Sequence, residues 1–275
     1  MEKATVKFLG TVALVRVPKE SGIDVEQLAA KIMEKNRAVK TVLQIEKVDG
    51  VFRVPVVRHV AGCADTQTIV REDGIVYKLD AAKLMFSLGN SFERRRMRRI
   101  PEPGEVVVDM FAGVGQFTIP VAKSAASHVH AFELNPVAYQ YLVENIRLNH
   151  VEEKVSAYNV DCRKASETGL AGKADRVLMG YLWGTVEFIE TAYRLVKPTG
   201  GVIHFHEVGE TVGGWTSLYE KCQKAAEKLG YRVELLGKRV VKTYSPKFSH
   251  WVLDLRVRRQ PFPEPSRHLG EEATP

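Results

Sequence analysis

The sequence predicts an α/β chain: a mostly parallel sheet covered by helices on both faces, preceded by a small α+β unit. Three observations predict it. From residue 105 onward, short β-branched runs alternate with helix-length amphipathic stretches. A strand, a glycine turn and a helix follow one another without a break over Val106–Phe117. The last two apolar runs, Tyr231–Val241 and His250–Arg256, have no helix between them, which places an antiparallel hairpin at or near one edge.

Residues 1–80 read as the small α+β domain. Val6–Val17 is strand-like, and Val25–Lys35 is helical by the spacing of Val25, Leu28, Ala29, Ile32 and Met33. Thr41–Ile45, Phe52–Val57 and Ile75–Leu79 read as short strands, with Glu72-Asp73-Gly74 a turn before the last. Residues 81–103 form a basic connector closed by Pro101, Pro103 and Gly104. Over 104–259 the expected order is strand Val106–Met110, helix Gln116–Ser124, strand His128–Glu133, helix Pro136–Asn149 and strand Val155–Val160. Strand Arg176–Met179, helix Val186–Val196, strand Val202–His206, a helix from about Trp215 to Leu229 and the closing hairpin follow. Residues 260–275, rich in proline and glutamate, read as a disordered tail.

Of the 275 residues, 45% are hydrophobic and 27% charged, enough apolar material for a sizeable core. No apolar run approaches the roughly 20 residues of a membrane-spanning helix. The N-terminus leads into a strand pattern and not into an apolar signal segment, so the expected location is cytoplasmic. Cys63, Cys162 and Cys222 are far apart in sequence, which argues against a disulfide framework, a zinc site or an iron–sulfur centre. The net charge of +7 is concentrated. Arg94, Arg95, Arg96, Arg98 and Arg99 fall within six residues, and Lys238, Arg239, Lys242, Lys247, Arg256, Arg258 and Arg259 crowd the C-terminal region. Such clusters suit phosphate contacts, against the plainer role of a solvated face.

The chemistry centres on Val106 to Phe117. Gly113 and Gly115 let a backbone pass close to a ligand where a Cβ would clash. A dinucleotide site would want a third glycine, and Gln116-Phe117-Thr118 stands there instead. About 20 residues on, the second strand ends at Glu133, placed to accept from ribose hydroxyls. The third ends at Asp161-Cys162, where a carboxylate and a neighbouring backbone N–H suit an adenine edge. Asn135-Pro136 reads as a helix start. His204 and His206 share a strand face without further ligands nearby, which favours hydrogen-bonded structural roles over a metal site.

These residues carry a resemblance. Val39–Leu43, Leu79-Asp80 with Phe86-Ser87, Phe92–Arg94, Asp109–Pro120, Glu133–Pro136, Asn145–Asn149, Asp175–Met179 and Gly200–His204 are similar to an archaeal family over nearly the whole chain. That family groups the tRNA (guanine-N1) methyltransferases acting next to the anticodon with the aminocarboxypropyl transferases of wybutosine synthesis. The resemblance implies a Rossmann-like class I S-adenosylmethionine-dependent fold, S-adenosylmethionine as group donor and the tRNA-Phe anticodon stem-loop as partner. It implies cofactor contacts from Ser87, Arg94, Phe111, Gly113, Glu133, Asp161 and Cys162, with Ser87 and Arg94 holding the methionine carboxylate, a task that suits arginine's fork. From the scattered cysteines and the isolated histidines no metal is expected, and a monomer is expected.

Two departures sort the branches. The family often has Pro-Arg after the serine, where this chain has Leu88-Gly89. The methyltransferase branch carries an Asn-Leu-Pro-type segment at the fourth strand end, where this chain has Met179-Gly180-Tyr181-Leu182-Trp183-Gly184. The Gly-Tyr pair resembles the aminocarboxypropyl transferase branch. The start of the chain at the small unit, without the extra N-terminal domain of the methyltransferase branch, gives the same expectation. Tyr181 and Trp183 are candidates to stack on a splayed base, against a role as core aromatics. No residue is singled out as a catalytic base. The rivals are methylation of guanine-N1 at the same nucleotide, a non-catalytic RNA-binding module, and a small-molecule transferase.

Overall fold

The computed structural model describes residues 4–18, 20–126 and 128–260. The tail expected to be disordered lies, from residue 261, outside the described residues.

The fold is built on a seven-stranded sheet in the order β12-β13-β11-β10-β7-β8-β9. Its strands are β7 (Val106–Asp109), β8 (His128–Phe132), β9 (Val155–Tyr158), β10 (Arg176–Met179), β11 (Gly201–Glu210), β12 (Tyr231–Thr243) and β13 (Phe248–Arg259). All neighbours from β9 to β11 pair in parallel. β13 is antiparallel to both β11 and β12, so the expected hairpin closes one edge. The strand order reverses between β7 and β10, and such a switch point opens a crevice at the strands' carboxyl ends.

Alternation along the central strands separates the two faces. Val108, Val177 and Met179 pack against α5 (Ile189–Leu195) and α6 (Gly214–Lys228). Val107 and Leu178 face α3 (Thr118–Ala122) and α4 (Pro136–Leu148), where Leu142 and Ile146 meet them. α4 starts as its sequence dictates: Asn135 caps it by accepting from the Val137 N–H at 3.0 Å, and Pro136 occupies the first turn.

Ahead of this lies a four-stranded sheet, β1 (Thr5–Leu9), β2 (Val12–Arg16), β3 (Thr41–Asp49) and β4 (Val54–Gly62), packed on α1 (Val25–Lys35). The stretch Val6–Val17, expected as one strand, is a hairpin turning at Gly10-Thr11. The strand expected at Phe52–Val57 begins at Val54, because residues 50–53 form the turn out of β3. β5 (Gln67–Glu72), not expected, pairs with β6 (Ile75–Asp80) as a separate two-stranded sheet. That sheet lies between the others. The Thr68 hydroxyl donates to Leu9 O at 2.9 Å, while β6 is bonded to α4.

The basic connector is folded. Residues Leu88–Asn90 form a 3-10 turn and Ser91–Met97 form α2. α2 turns Arg94 and Arg96 inward, while Arg95, Arg98 and Arg99 remain exposed. The run expected to face phosphate as a block is therefore split, because one side of a short helix must bury against the sheet.

Candidate functional site

β7 ends at Asp109, a fully buried carboxyl that accepts from the Thr118 hydroxyl at 2.7 Å and the Phe111 N–H at 3.2 Å. Burial pushes its pKa up to about 6 against those two hydrogen bonds. It holds the glycine turn in shape from behind. Gly113 sits in the left-handed region at φ +56°, a conformation a side-chain-bearing residue rarely adopts, and a Cβ there would meet nothing within 4 Å.

Glu133, just past β8, faces the same space. Its carboxylate accepts from the Gly113 N–H and the Asn135 N–H, each at 2.7 Å. Burial raises its pKa. Two fixed N–H donors leave its remaining lone pairs directed by the backbone and not by a mobile side chain.

Glu133 and Gly113 line a cavity of about 230 Å³. One wall is aromatic: Phe111 stacks on Tyr181 with centroids 5.0 Å apart and meets the edge of Phe188 at 5.0 Å. Met110, Val114 and Ala138 make it apolar, and Asp161 and Cys162 close its end. The Asp161 carboxylate accepts from the Arg163 N–H at 2.9 Å and from its guanidinium, and these hydrogen bonds lower its pKa. Burial pushes the Cys162 thiol up to about 12, so it stays a neutral thiol and not a nucleophile.

Five of the seven expected cofactor residues thus share one cavity: Phe111, Gly113, Glu133, Asp161 and Cys162. Ser87 and Arg94 are not among its lining residues. The Arg94 guanidinium, 2% exposed, grips both Glu72 carboxylate oxygens at 2.9 and 2.6 Å. It also donates to Ser87 O at 2.7 Å and to Gln116 Oε1 at 3.2 Å. Gln116 Oε1 in turn accepts from the Ser87 N–H at 3.1 Å. In this structure the arginine fork holds a wall beside the cavity, with Glu72 taking the carboxylate partnership expected of a ligand. The sequence reading missed the opposite rim, Val51, Phe52 and Arg53 at the β3–β4 turn. Their one local signal is an exposed Val-Phe pair after a glycine, which says nothing of where the hairpin tip lands.

The fourth strand end is shaped by packing. A Cβ at Gly180 would lie 2.8 Å from the Phe117 ring, so neither asparagine nor aspartate fits there unless that ring moves. Tyr181 and Trp183, both candidates to stack on a splayed base, face different ways. Tyr181 joins the cavity wall, whereas Trp183 is 53% exposed and meets Tyr244 and Phe248.

His204 and His206 are built into a buried polar network. Arg176 donates to His204 Nε2 at 2.7 Å, so the Nδ1–H donates to Asp254 at 2.6 Å. Burial lowers the His204 pKa to about 4, which keeps the ring neutral at pH 7. Asp254 is pushed up by burial, but His204, Arg239 and Arg96 outweigh this and hold it well below the usual range. His206 pairs with His250 at 3.0 Å. Among the described residues, no group of three or more His, Cys, Asp or Glu side chains is placed to hold a metal ion.

S-adenosylmethionine fits these residues. Glu133 suits a ribose diol, the apolar slot with Asp161-Cys162 suits adenine, and Gly113 clears the backbone for close approach. The fold and the site together define an S-adenosylmethionine-dependent transferase of the Rossmann-like class. The model of the TRM5/TYW2 methyltransferase domain matches residues 68–234, and the chain belongs to that family. It is 41% identical, over 83% of its length and 80% of the relative's, to the tRNA(Phe) (4-demethylwyosine(37)-C(7)) aminocarboxypropyltransferase of Pyrococcus horikoshii. It is 38% identical, over 91% of its length and 74% of the relative's, to the tRNA (guanine(37)-N(1))-methyltransferase Trm5b of Pyrococcus abyssi. Its fold is similar to the crystal structure of P. horikoshii TYW2 in complex with MeSAdo, with a TM-score of 0.81 at 38% identity, covering 93% of this chain and 91% of that one.

Proposed function

We propose that the chain transfers the 3-amino-3-carboxypropyl group of S-adenosylmethionine to the 4-demethylwyosine base 3′ to the anticodon of tRNA-Phe, releasing methylthioadenosine. The observation that carries this reading is the fourth strand end. Gly180, packed on Phe117, presents neither an amide nor a carboxylate to hold a target ring nitrogen. The P. horikoshii relative, named for this transfer, supports it.

The bound sulfonium supplies an activated carbon and a neutral thioether leaving group, so no general acid is required. This chain's residues supply position. Glu133 would accept from the ribose hydroxyls and Asp161 from the adenine amino group, in a cavity walled by Phe111 with Tyr181. In this transfer the γ-carbon of the methionine chain would bond to a ring carbon of the base as its C–S bond breaks, the electron pair leaving on the methylthioadenosine sulfur and the ring proton passing to solvent. Ser87 and Arg94 serve the site through the wall they hold with Gln116. We propose further that the chain is a cytoplasmic monomer, which sedimentation and cell fractionation test.

A second reading, guanine-N1 methylation at the same nucleotide, draws on the similarity to the P. abyssi methyltransferase. Mass spectrometry after incubation with S-adenosylmethionine and tRNA-Phe carrying the tricyclic precursor separates the two. Methylthioadenosine with an aminocarboxypropylated base is expected. S-adenosylhomocysteine with a methylated base would move the assignment to methylation.

A further inference from the structure

Three large aromatic side chains stand exposed together outside the cavity. Trp183 is 53% exposed, Tyr244 41% and Phe248 42%. Their rings form one surface, with Trp183 6.1 Å from Tyr244 and 6.2 Å from Phe248. Tyr244 and Phe248 come from the far end of the β12–β13 hairpin, where the Tyr244 N–H donates to Phe248 O at 2.9 Å.

Trp183 is held there against its backbone preference. Its φ of +65° lies in the left-handed region, which a bulky residue adopts only when its surroundings impose it. The constraint is Glu207, 5% exposed. Its carboxylate accepts from the N–H groups of Trp183 at 2.8 Å, Gly184 at 3.0 Å and Val208 at 2.8 Å. A buried carboxylate thus clamps the loop from which the indole stands exposed.

The surroundings are cationic. The Lys242 ammonium lies 4.7 Å from the Tyr244 ring centroid. Burial lowers its pKa, and the charges of Lys7 and Arg16 lower it further. Arg53, from the turn that rims the cavity, acts on Tyr244. Like charges drawn together around exposed aromatic faces match a phosphate backbone carrying bases. Trp183 follows Gly180, which lines the cavity, by three residues, so at most about 10 Å of chain separates the two positions.

We propose that Trp183, Tyr244 and Phe248 form a stacking platform for the nucleotide next to the modified base. The proposal rests on the tRNA-modifying reading above. It is tested with the full chain and precursor-bearing tRNA-Phe. W183G removes the ring while relieving the left-handed backbone, so it does not work by unfolding the loop. The KM for tRNA is expected to rise about 5- to 100-fold, the effect of losing one base–aromatic stack. The Kd for S-adenosylmethionine, read by calorimetry, should hold, and W183F should recover most of the loss. A 2-aminopurine placed beside the target nucleotide should be quenched by wild type and not by W183G. An unchanged KM for W183G, or equal quenching by both proteins, overturns the platform. Product identity separates this from the transfer reading. A raised KM with a methylated base leaves the platform standing, and an unchanged KM with an aminocarboxypropylated base does the reverse.

Discussion

Glu133 and Asp109 show how two carboxyls on adjacent strands take different tasks. Glu133 accepts from two backbone N–H groups and faces the cavity, so its charge is available to a ligand. Replacing it with glutamine removes charge-assisted hydrogen bonds of about 1.5–3 kcal/mol, so E133Q should weaken S-adenosylmethionine binding roughly 10- to 100-fold by calorimetry. Asp109 is buried behind the glycine turn with a pKa of about 6. The folded chain holds its proton more tightly than the unfolded chain. Its contribution to stability is therefore complete below pH 3.8 and lost as pH rises through about 6. Denaturant unfolding of wild type and D109N between pH 4 and 7 should diverge by on the order of 3 kcal/mol. Parallel pH profiles would contradict this.

At the scale of elements, α4 does more than cover the sheet. Asn145 and Asn149 stand one turn apart and bond alternate residues of β6 as a neighbouring strand would. Asn145 accepts from the Lys78 N–H at 2.7 Å and donates to Lys78 O and Val114 O, each at 2.9 Å. Asn149 accepts from the Val76 N–H at 3.0 Å and donates to Val76 O at 2.6 Å. Two amides thus seal part of the edge of a two-stranded sheet and tie it to the loop carrying Gly113. N145A strands three backbone groups and should cost about 2–4 kcal/mol in chemical denaturation, far more than a surface Asn→Ala change. The Asn145–Asn149 segment was legible in the sequence as a similarity. Its purpose was not, because nothing local to α4 says which backbone its amides will meet.

Across the whole molecule, charge is what remains after internal pairing. Arg94, Arg96, Arg176 and Arg239 are committed to Glu72, Glu93, Glu105 and Asp254. Arg95, exposed, lies 3.9 Å from Asp73, while Arg98, Arg99, Lys238, Arg256 and Arg258 remain on the surface. If about four of the surface cations contact phosphate, raising salt from 50 to 200 mM should lift the KM for tRNA roughly 50- to 150-fold. The KM for S-adenosylmethionine, a small ligand with no phosphate, should barely move. A flat tRNA dependence would count against a polyanionic substrate.

The sequence by itself determined the seven-stranded α/β architecture and the cluster of Gly113, Glu133 and Asp161. Hydrophobic period, glycine turns and acids at strand ends are local features, and a parallel sheet brings its carboxyl ends together by construction. Only the tertiary structure decided what depends on distant partners. Arg94 was legible as a carboxylate binder, but the carboxylate it meets is Glu72, delivered by a hairpin with no signal linking the two. Tyr181 and Trp183 are two residues apart, yet a buried Glu207 from β11 turns one outward while Phe111 keeps the other in. The rim at Val51–Arg53 belongs to a separate sheet whose docking is fixed by packing. A side chain's chemistry is written in its residue type, but the groups that satisfy it are chosen by the fold.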